Sequence, residues 1–197
     1  TLSSITGDGT LGISIEAGTA QDSLGNQAPA AGPAAPFTVD NTAPTVVIGD
    51  PSALLASSGP VTFPVTYSDS EAVNLLPESV TLHATGSASG TVTVSDSTTT
   101  TPTVTIEGIA GDGTLQISIA PGTAHDAAGN LSEGAGPGSA VVIDNTAPSG
   151  RVNVRVTNDA TPALSGSVDD PESTVFVSLG GETFFQALNL GDATWSL

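Results

Sequence analysis

Two short segments of the sequence place an aspartate and an asparagine four residues apart, with a glycine between them. They are Asp22 to Asn26 and Asp126 to Asn130. Calcium takes about six to eight oxygen ligands, which carboxylates and carbonyls on loops supply, and the glycine permits a left-handed turn that brings both side chains together. The segments therefore predict calcium ligation. The alternative is an Asx turn, in which each side chain only hydrogen-bonds its own loop backbone.

A second repeated motif, Asp-Asn-Thr-Ala-Pro, occurs at 40–44 and at 144–148. Its proline stiffens the chain, so we interpret each motif as a linker that follows the last strand of a domain. The end of that strand and the loop before it would lie at one end of the sandwich, beside acidic residues in an early loop of the next domain. We therefore predict structural calcium at the domain junctions, the alternative being a flexible, metal-free linker with solvated acids. The predicted ligands are Asp22, Asn26, Asp40, Asn41, Asp69, Glu71, Asp126, Asn130, Asp144, Asn145, Asp169, Asp170 and Glu172.

Acidic residues dominate the charged positions. There are 20 Asp and Glu against two basic residues, Arg151 and Arg155, and the formal net charge is −18. Such a surface repels phosphate, which argues against nucleic-acid binding, and no apolar run of about 18 residues predicts membrane insertion. The acids attract cations instead, and the carboxylates in the cluster at 169–172 would repel one another unless a cation lay between them. The alternative is that the acids only keep an extracellular chain soluble.

The sequence contains a long internal repeat that sets the domain boundaries. Residues 5–44 and 109–148 align without a gap at an offset of 104 residues, and 23 of the 40 positions are identical. A period of about 100 residues is typical of one immunoglobulin-like sandwich. We predict that 1–42 is the C-terminal half of one such domain and that 43–146 is complete. Residues 147–197, which differ in sequence, would be the N-terminal half of a third domain of another subtype.

Alternating apolar residues between Gly, Ser, Asp and Pro clusters predict an all-β fold of tandem immunoglobulin-like β-sandwiches, about seven strands each. Pro64 predicts an edge or a bulge for its strand. Gly111-Asp112-Gly113 predicts a tight hairpin turn, with a ligand role for Asp112 as the alternative. The strands predicted in the complete domain are Thr45–Ile48, Val61–Tyr67, Ser79–Ala84, Thr91–Val94, Thr103–Ile106, Thr114–Ile119 and Ala140–Asp144.

Four motifs in a fixed order resemble the bacterial Ig-like repeats of large secreted or surface adhesins, of the calcium-binding RTX-adhesin type. The resemblance covers 43–148 and, by repetition, 1–42. It implies a rod of tandem domains, exported to the cell surface or the medium and often stiffened by calcium at the junctions. Asn145 departs from the family pattern, where Asp or Thr is common, and lowers the ligand charge. The motifs are SEAVNL (70–75), GDGTLQISI (111–119), GTAHDAAGN (122–130) and DNTAP (144–148).

The functional expectation is a structural stalk segment of an adhesin, partnered by neighbouring domains of its own chain, with any host or surface ligand bound by other domains. The alternative is a non-catalytic accessory module, carbohydrate- or ligand-binding, of a secreted hydrolase. We expect no enzyme, because His83 and His125 are isolated and no nucleophile motif occurs. The absence of cysteine excludes disulfides and cysteine-ligated zinc. Phe184, Phe185 and Trp195 lie in strand-like runs and are expected in a core.

Overall fold

The computed structural model describes residues 1–181 and 183–197, which form two compact units, Thr1–Asn145 and Thr146–Leu197. The described residues contain strands, turns and one short 3-10 helix, and no α-helix. The all-β prediction is confirmed. No helix among them has the length and apolar character needed to cross a membrane.

The first unit contains a β-sandwich-like arrangement of two four-stranded sheets. One sheet has the strand order β3-β5-β9-β8, and the other has the order β4-β12-β10-β7. Two smaller pairs, β1-β2 and β6-β11, lie outside these sheets. The neighbouring strands are antiparallel except β4 and β12, which are parallel. The elements are β1 (Gly9–Leu11), β2 (Phe37–Val39), β3 (Thr45–Ile48), β4 (Leu55–Ala56), β5 (Val61–Ser68), β6 (Ala72–Val73), the 3-10 helix (Pro77–Ser79), β7 (Val80–Ala84), β8 (Ser89–Ser95), β9 (Thr103–Ala110), β10 (Gly113–Ile119), β11 (Ala124–His125) and β12 (Val141–Ile143).

Alternation along the strands explains the core between the two sheets. In β5 every second side chain from Val61 to Tyr67 is buried, because successive residues of a strand point to opposite faces. Leu115, Ile117 and Ile119 of β10 are buried in the same cluster. The seven predicted strands and these inward side chains are therefore confirmed, with shifted bounds. β9 extends four residues further than predicted, whereas β7 begins one residue later and β12 is one residue shorter at each end. The two-residue strands β4, β6 and β11 were not predicted.

The hairpin predicted at Gly111-Asp112-Gly113 is wrong. β9 pairs with β5 and β8, whereas β10 pairs with β7 and β12, so the glycines connect two different sheets. Both glycines have positive φ, and both lie against the connection between β7 and β8. A Cβ added at Gly113 would stand 2.0 Å from the Thr85 carbonyl oxygen. The two glycines are needed for this close approach.

The first 42 residues form the β1-β2 pair and loops, and they repeat the backbone of the later copy. Gly9 pairs with Val39, and Gly113 pairs with Ile143 at the offset of 104 residues. The bridge between Ile15 and Ala31 has its counterpart at the same offset. The large apolar side chains of this segment are exposed: Leu2, Ile5, Leu11, Ile13, Ile15, Leu24 and Phe37.

The second unit has a four-stranded sheet and a separate two-stranded ribbon. The sheet order is β13-β14-β18-β17, and β15 pairs with β16. Trp195 is buried with Val168 and Ala187, as expected, and its indole N–H donates to the Arg151 carbonyl. Phe184 and Phe185 are exposed, so that core prediction is wrong: in the described residues their ribbon pairs with no further strand. The strands are β13 (Gly150–Val152), β14 (Ser165–Val168), β15 (Phe176–Leu179), β16 (Thr183–Gln186), β17 (Leu188–Asn189) and β18 (Thr194–Ser196).

Candidate junction site

An open acidic pocket lies in the first unit at the start of the sandwich. Its volume is about 300 Å³. Four of the predicted calcium ligands line it, and they come from three separate segments of the chain: the linker, the turn after β5 and the loop after β11. The lining residues are Asp40, Tyr67, Asp69, Ser70, Glu71, Thr100, Asp126 and Ala127.

Strand pairing brings the turn and the loop of this pocket together. β6 pairs with β11, placing Ala72 opposite His125, and the Glu71 N–H donates to the His125 carbonyl at 2.8 Å. Asp69 has a φ of +60°, in the left-handed region that short polar residues tolerate at turns. The chain therefore turns just after β5, and the acids on either side of Ser70 line the same pocket as Asp126.

The Asp126–Asn130 loop is closed by its own hydrogen bonds. Asp126 is buried, and its Oδ1 and Oδ2 accept from the Asn130 backbone N–H and side-chain amide, both at 2.8 Å. The Asn130 side-chain bond is the main cause that lowers the pKa of Asp126 below its ordinary value, opposed by burial. Asp22 and Asn26 make the matching bonds at 2.9 and 2.8 Å. These bonds are those of the Asx-turn alternative.

The linker at 40–44 also contacts this loop. The Asn130 side-chain amide donates to the Asp40 carbonyl at 3.0 Å and lies 3.4 Å from the Thr42 carbonyl oxygen. The Thr42 N–H donates to the Asp40 carboxylate at 3.0 Å. The predicted ligands Asp40, Asp126 and Asn130 are therefore adjacent, although 90 residues separate Asp40 from Asn130 in sequence.

Asn41 and Asn145, also predicted as ligands, bind the two-glycine connections instead. Asn41 donates from its backbone N–H to Asp8 Oδ1 and from its side-chain amide to the Gly7 carbonyl, both at 2.6 Å. Asn145 makes the same two bonds, to Asp112 Oδ1 at 2.6 Å and the Gly111 carbonyl at 2.7 Å. Thr42 Oγ1 adds a bond to Asp8 Oδ2 at 2.6 Å. The Thr42 hydroxyl is the main cause that lowers the pKa of Asp8.

The remaining predicted ligands lie elsewhere. Asp144 directly follows β12, and its N–H donates to the Ala56 carbonyl at 3.0 Å. In the second unit, Asp169 accepts from the Ser149 hydroxyl and backbone N–H at 2.6 and 2.7 Å, and the hydroxyl bond is the main cause that lowers the pKa of Asp169. Asp170 Oδ1 accepts from the Glu172 N–H at 2.9 Å. Each of these bonds lies within one unit.

The pocket residues fit calcium by chemistry but are not gathered into a cage. Carboxylate and hydroxyl oxygens are the ligands that calcium prefers. Ser70 Oγ is buried without a hydrogen-bond partner, and a buried polar atom of this kind calls for a partner. Nevertheless, across residues 1–181 and 183–197 no three acidic, histidine or cysteine side chains approach closely enough to hold a metal ion.

Sequence reasoning identified the pocket acids but missed Asp8 and Asp112 as partners of the linkers. The available signal was that GDG and DNT recur together at a constant separation of 33 residues between the Asp and the Asn. Comparison with protein-family models, with curated proteins and with solved structures finds no match to this chain.

Proposed function

We propose that this chain is a spacer segment in the stalk of a secreted bacterial adhesin, built from tandem immunoglobulin-like domains whose junctions are stiffened by calcium. It is exported to the cell surface or the medium, has no catalytic role, and binds host or surface ligands only through other domains. The observation that carries the proposal is the acidic pocket, because its residues come from a linker and from the domain that follows the linker.

The strand order supports the immunoglobulin-like part of the proposal. If β3, β5, β7, β8, β9, β10 and β12 are lettered A to G, one sheet reads A-B-E-D and the other contains C-F-G. This is the arrangement of the constant-type immunoglobulin sandwich. The same lettering makes the GDG connection the crossover from E to F. The repeat at an offset of 104 residues supports a tandem array.

The pocket supports the calcium part. Asp40, Asp69, Glu71 and Asp126 would hold the ion, together with the partnerless Ser70 hydroxyl. A bound divalent cation would offset the repulsion among these acids and would tie the linker to the turn and the loop. Within the second unit, Asp169, Asp170 and Glu172 are the proposed ligands of a further calcium ion.

The proposal is tested by thermal melting and small-angle scattering of the full chain with calcium, with magnesium and with a chelator. Calcium at about 100 times its dissociation constant should stabilise by roughly 2.7 kcal/mol per site. The chelator should lower the melting temperature and loosen the chain, and magnesium should substitute poorly because it requires a tighter octahedral cage.

Two variants identify the first site. Glu71→Gln should weaken the calcium response, whereas Glu78→Gln, a matched change at an exposed acid in the 3-10 helix, should leave it intact. A parent chain whose melting and scattering are the same in calcium and in chelator would show that the acids only solvate the surface.

A second candidate function is an accessory carbohydrate-binding module, favoured by one observation. Phe176 and Phe184 lie on the same face of the β15-β16 ribbon, because Ser178 pairs with Phe184, and both rings are exposed. Exposed rings can stack on the apolar face of a sugar. Retention on insoluble polysaccharide that Phe184→Ala abolishes and Phe37→Ala preserves would favour this function over the stalk.

A further inference from the structure

The linker at 40–44 is contacted from two sides by different parts of the first unit. On the side of the preceding segment, Gly7 and Asp8 accept three hydrogen bonds from Asn41 and Thr42, all at 2.6 Å. On the side of the following sandwich, the Asn130 amide donates to the Asp40 carbonyl at 3.0 Å. The first set of bonds uses linker donors, and the second uses linker carbonyls, so the two sets do not compete.

Asn130 is oriented for this contact by bonds within its own loop. Its backbone N–H and its amide both bind the buried Asp126 carboxylate at 2.8 Å, which selects one rotamer. One amide hydrogen faces the carboxylate, and the other points to the Asp40 carbonyl. The Thr42 carbonyl oxygen, at 3.4 Å, is beyond the usual range and shares that hydrogen only weakly.

We infer that the Asp126–Asn130 loop is a latch for the main chain of the preceding linker, and that it fastens the junction without any cation. Its ligand is an extended segment that presents two carbonyls two residues apart, as Asp40 and Thr42 do in DNTAP. Asn130 is the positioning residue of the latch, and Asp126 holds it in place. The latch does not rest on the calcium proposal, because none of its bonds involves a metal.

The other copy of the loop shows that the closed loop forms without the linker contact. Asp22 and Asn26 make the same internal bonds, yet among the described residues the hydrogen bonds of the Asn26 amide reach only Asp22. Both residues are exposed in that copy, whereas Asp126 is buried and Asn130 half-buried. The loop therefore closes on its own, and its burial accompanies the linker contact.

The latch is tested on the full chain by measuring the distance distribution between two spin labels in chelator. The chain has no cysteine, so Thr38→Cys on β2 and Thr93→Cys on β8, both exposed, give unique labelling sites. Asn130→Ala should broaden the distribution, because one neutral hydrogen bond shifts such an equilibrium by about fivefold. Asn26→Ala, the matched control, should leave it unchanged.

Asn130→Asp, which keeps the shape of the side chain but removes its donors, should broaden the distribution in the same way. Unchanged hydrogen exchange in β10 and β12 identifies a folded variant. A parent-like distribution for either Asn130 variant in chelator, or equal broadening by Asn26→Ala, would overturn the latch. The calcium proposal is judged separately, by the response of the parent chain to the ion, so either idea can fail alone.

Discussion

The two copies of the repeat have the same local structure across 5–41 and 109–145. Their short strand pairs share one register, and their Asp-x-x-x-Asn loops close with the same bonds. Asn41 and Asn145 bind their two-glycine connections with nearly identical distances. These features therefore depend on local sequence, because they form in both copies whatever surrounds them.

The two copies differ in how far their side chains are buried. Ile13 and Ile15 are 52% and 54% exposed, whereas their counterparts Ile117 and Ile119 are 0% and 3% exposed. The later copy packs against β5 and β9 of the opposite sheet, and the earlier copy has no such sheet within the described residues. Identical side chains thus contribute hydrophobic stabilisation in one copy and little in the other.

The largest expected effect comes from truncating the same isoleucine in each copy. Ile117→Ala should destabilise the sandwich by about 2–5 kcal/mol, since it removes buried methyl groups and leaves a cavity. Ile13→Ala should change stability by less than about 0.5 kcal/mol, as exposed positions do. Chemical denaturation followed by the absorbance of the single tyrosine, Tyr67 in the core, measures both. Equal losses would mean that the first copy is buried in solution.

Substitution of the equivalent glycines Gly9 and Gly113 should show the next largest difference in stability between the copies. Gly113→Ala places a methyl group 2.0 Å from the Thr85 carbonyl oxygen and keeps a positive φ, so it should cost about 1–3 kcal/mol or more. Gly9→Ala has the same kind of φ but no atom within 4 Å, so only the backbone strain remains. The difference between the two denaturation midpoints isolates the contact with Thr85. A Gly9 variant as unstable as the Gly113 variant would remove that explanation.

The bonds between Asn and the two-glycine connections should behave alike in both copies. Asp8→Ala and Asp112→Ala each remove the acceptor of an Asn backbone N–H. Hydrogen exchange at Asn41 and Asn145 should therefore accelerate severalfold, each only in the variant of its own copy. An effect in one copy alone would show that these bonds depend on the sandwich rather than on local sequence.

Lowering the pH should have the smallest effect, and this effect should appear in both Asp-x-x-x-Asn loops. The pKa of Asp22 and of Asp126 is below the ordinary value of 3.8, chiefly because of the Asn side-chain amide. Stability from a lowered carboxyl pKa is present above the unfolded value and is lost as the pH falls through the folded value. The side-chain amide signals of Asn26 and Asn130 should stay constant from neutral pH to about 4 and change only below 3.8. A change near pH 6 would contradict this assignment.

Sequence patterns predicted what depends on alternation and failed where long-range pairing decides. Alternating apolar residues located β5 and β10. The GDG hairpin was wrong because two glycines between alternating strands look the same whether those strands pair or enter different sheets. Pro64 was expected at an edge or a bulge, but β5 lies inside its sheet. The Pro64 carbonyl accepts from Gly49, just past the end of β3, so the missing N–H falls where the ladder between β3 and β5 ends.

The site could be predicted only in part, again because long-range pairing determines which residues meet. The loop acids Asp69, Glu71 and Asp126 could be predicted as cation ligands from composition. The sequence assigned the Asp126–Asn130 loop to the second junction, however, whereas Asp126 lines the pocket beside the first linker. The partners of Asn41 could not be inferred from its neighbours, because Asp8 lies 33 residues away and the two meet only when β1 pairs with β2. A constant separation in both copies was the one clue that the sequence offered.

The parallel pairing of β4 with β12 determines how the sandwich would respond to a pull on its two ends. These strands lie near the beginning and the end of the sandwich and run in the same direction. Tension applied through the linkers would draw them in opposite senses along their length. The bonds from Val142 to Leu54 and from Asp144 to Ala56, 2.8 and 3.0 Å long, would then be loaded together in shear instead of opening one after another. This small patch would give the sandwich resistance to force.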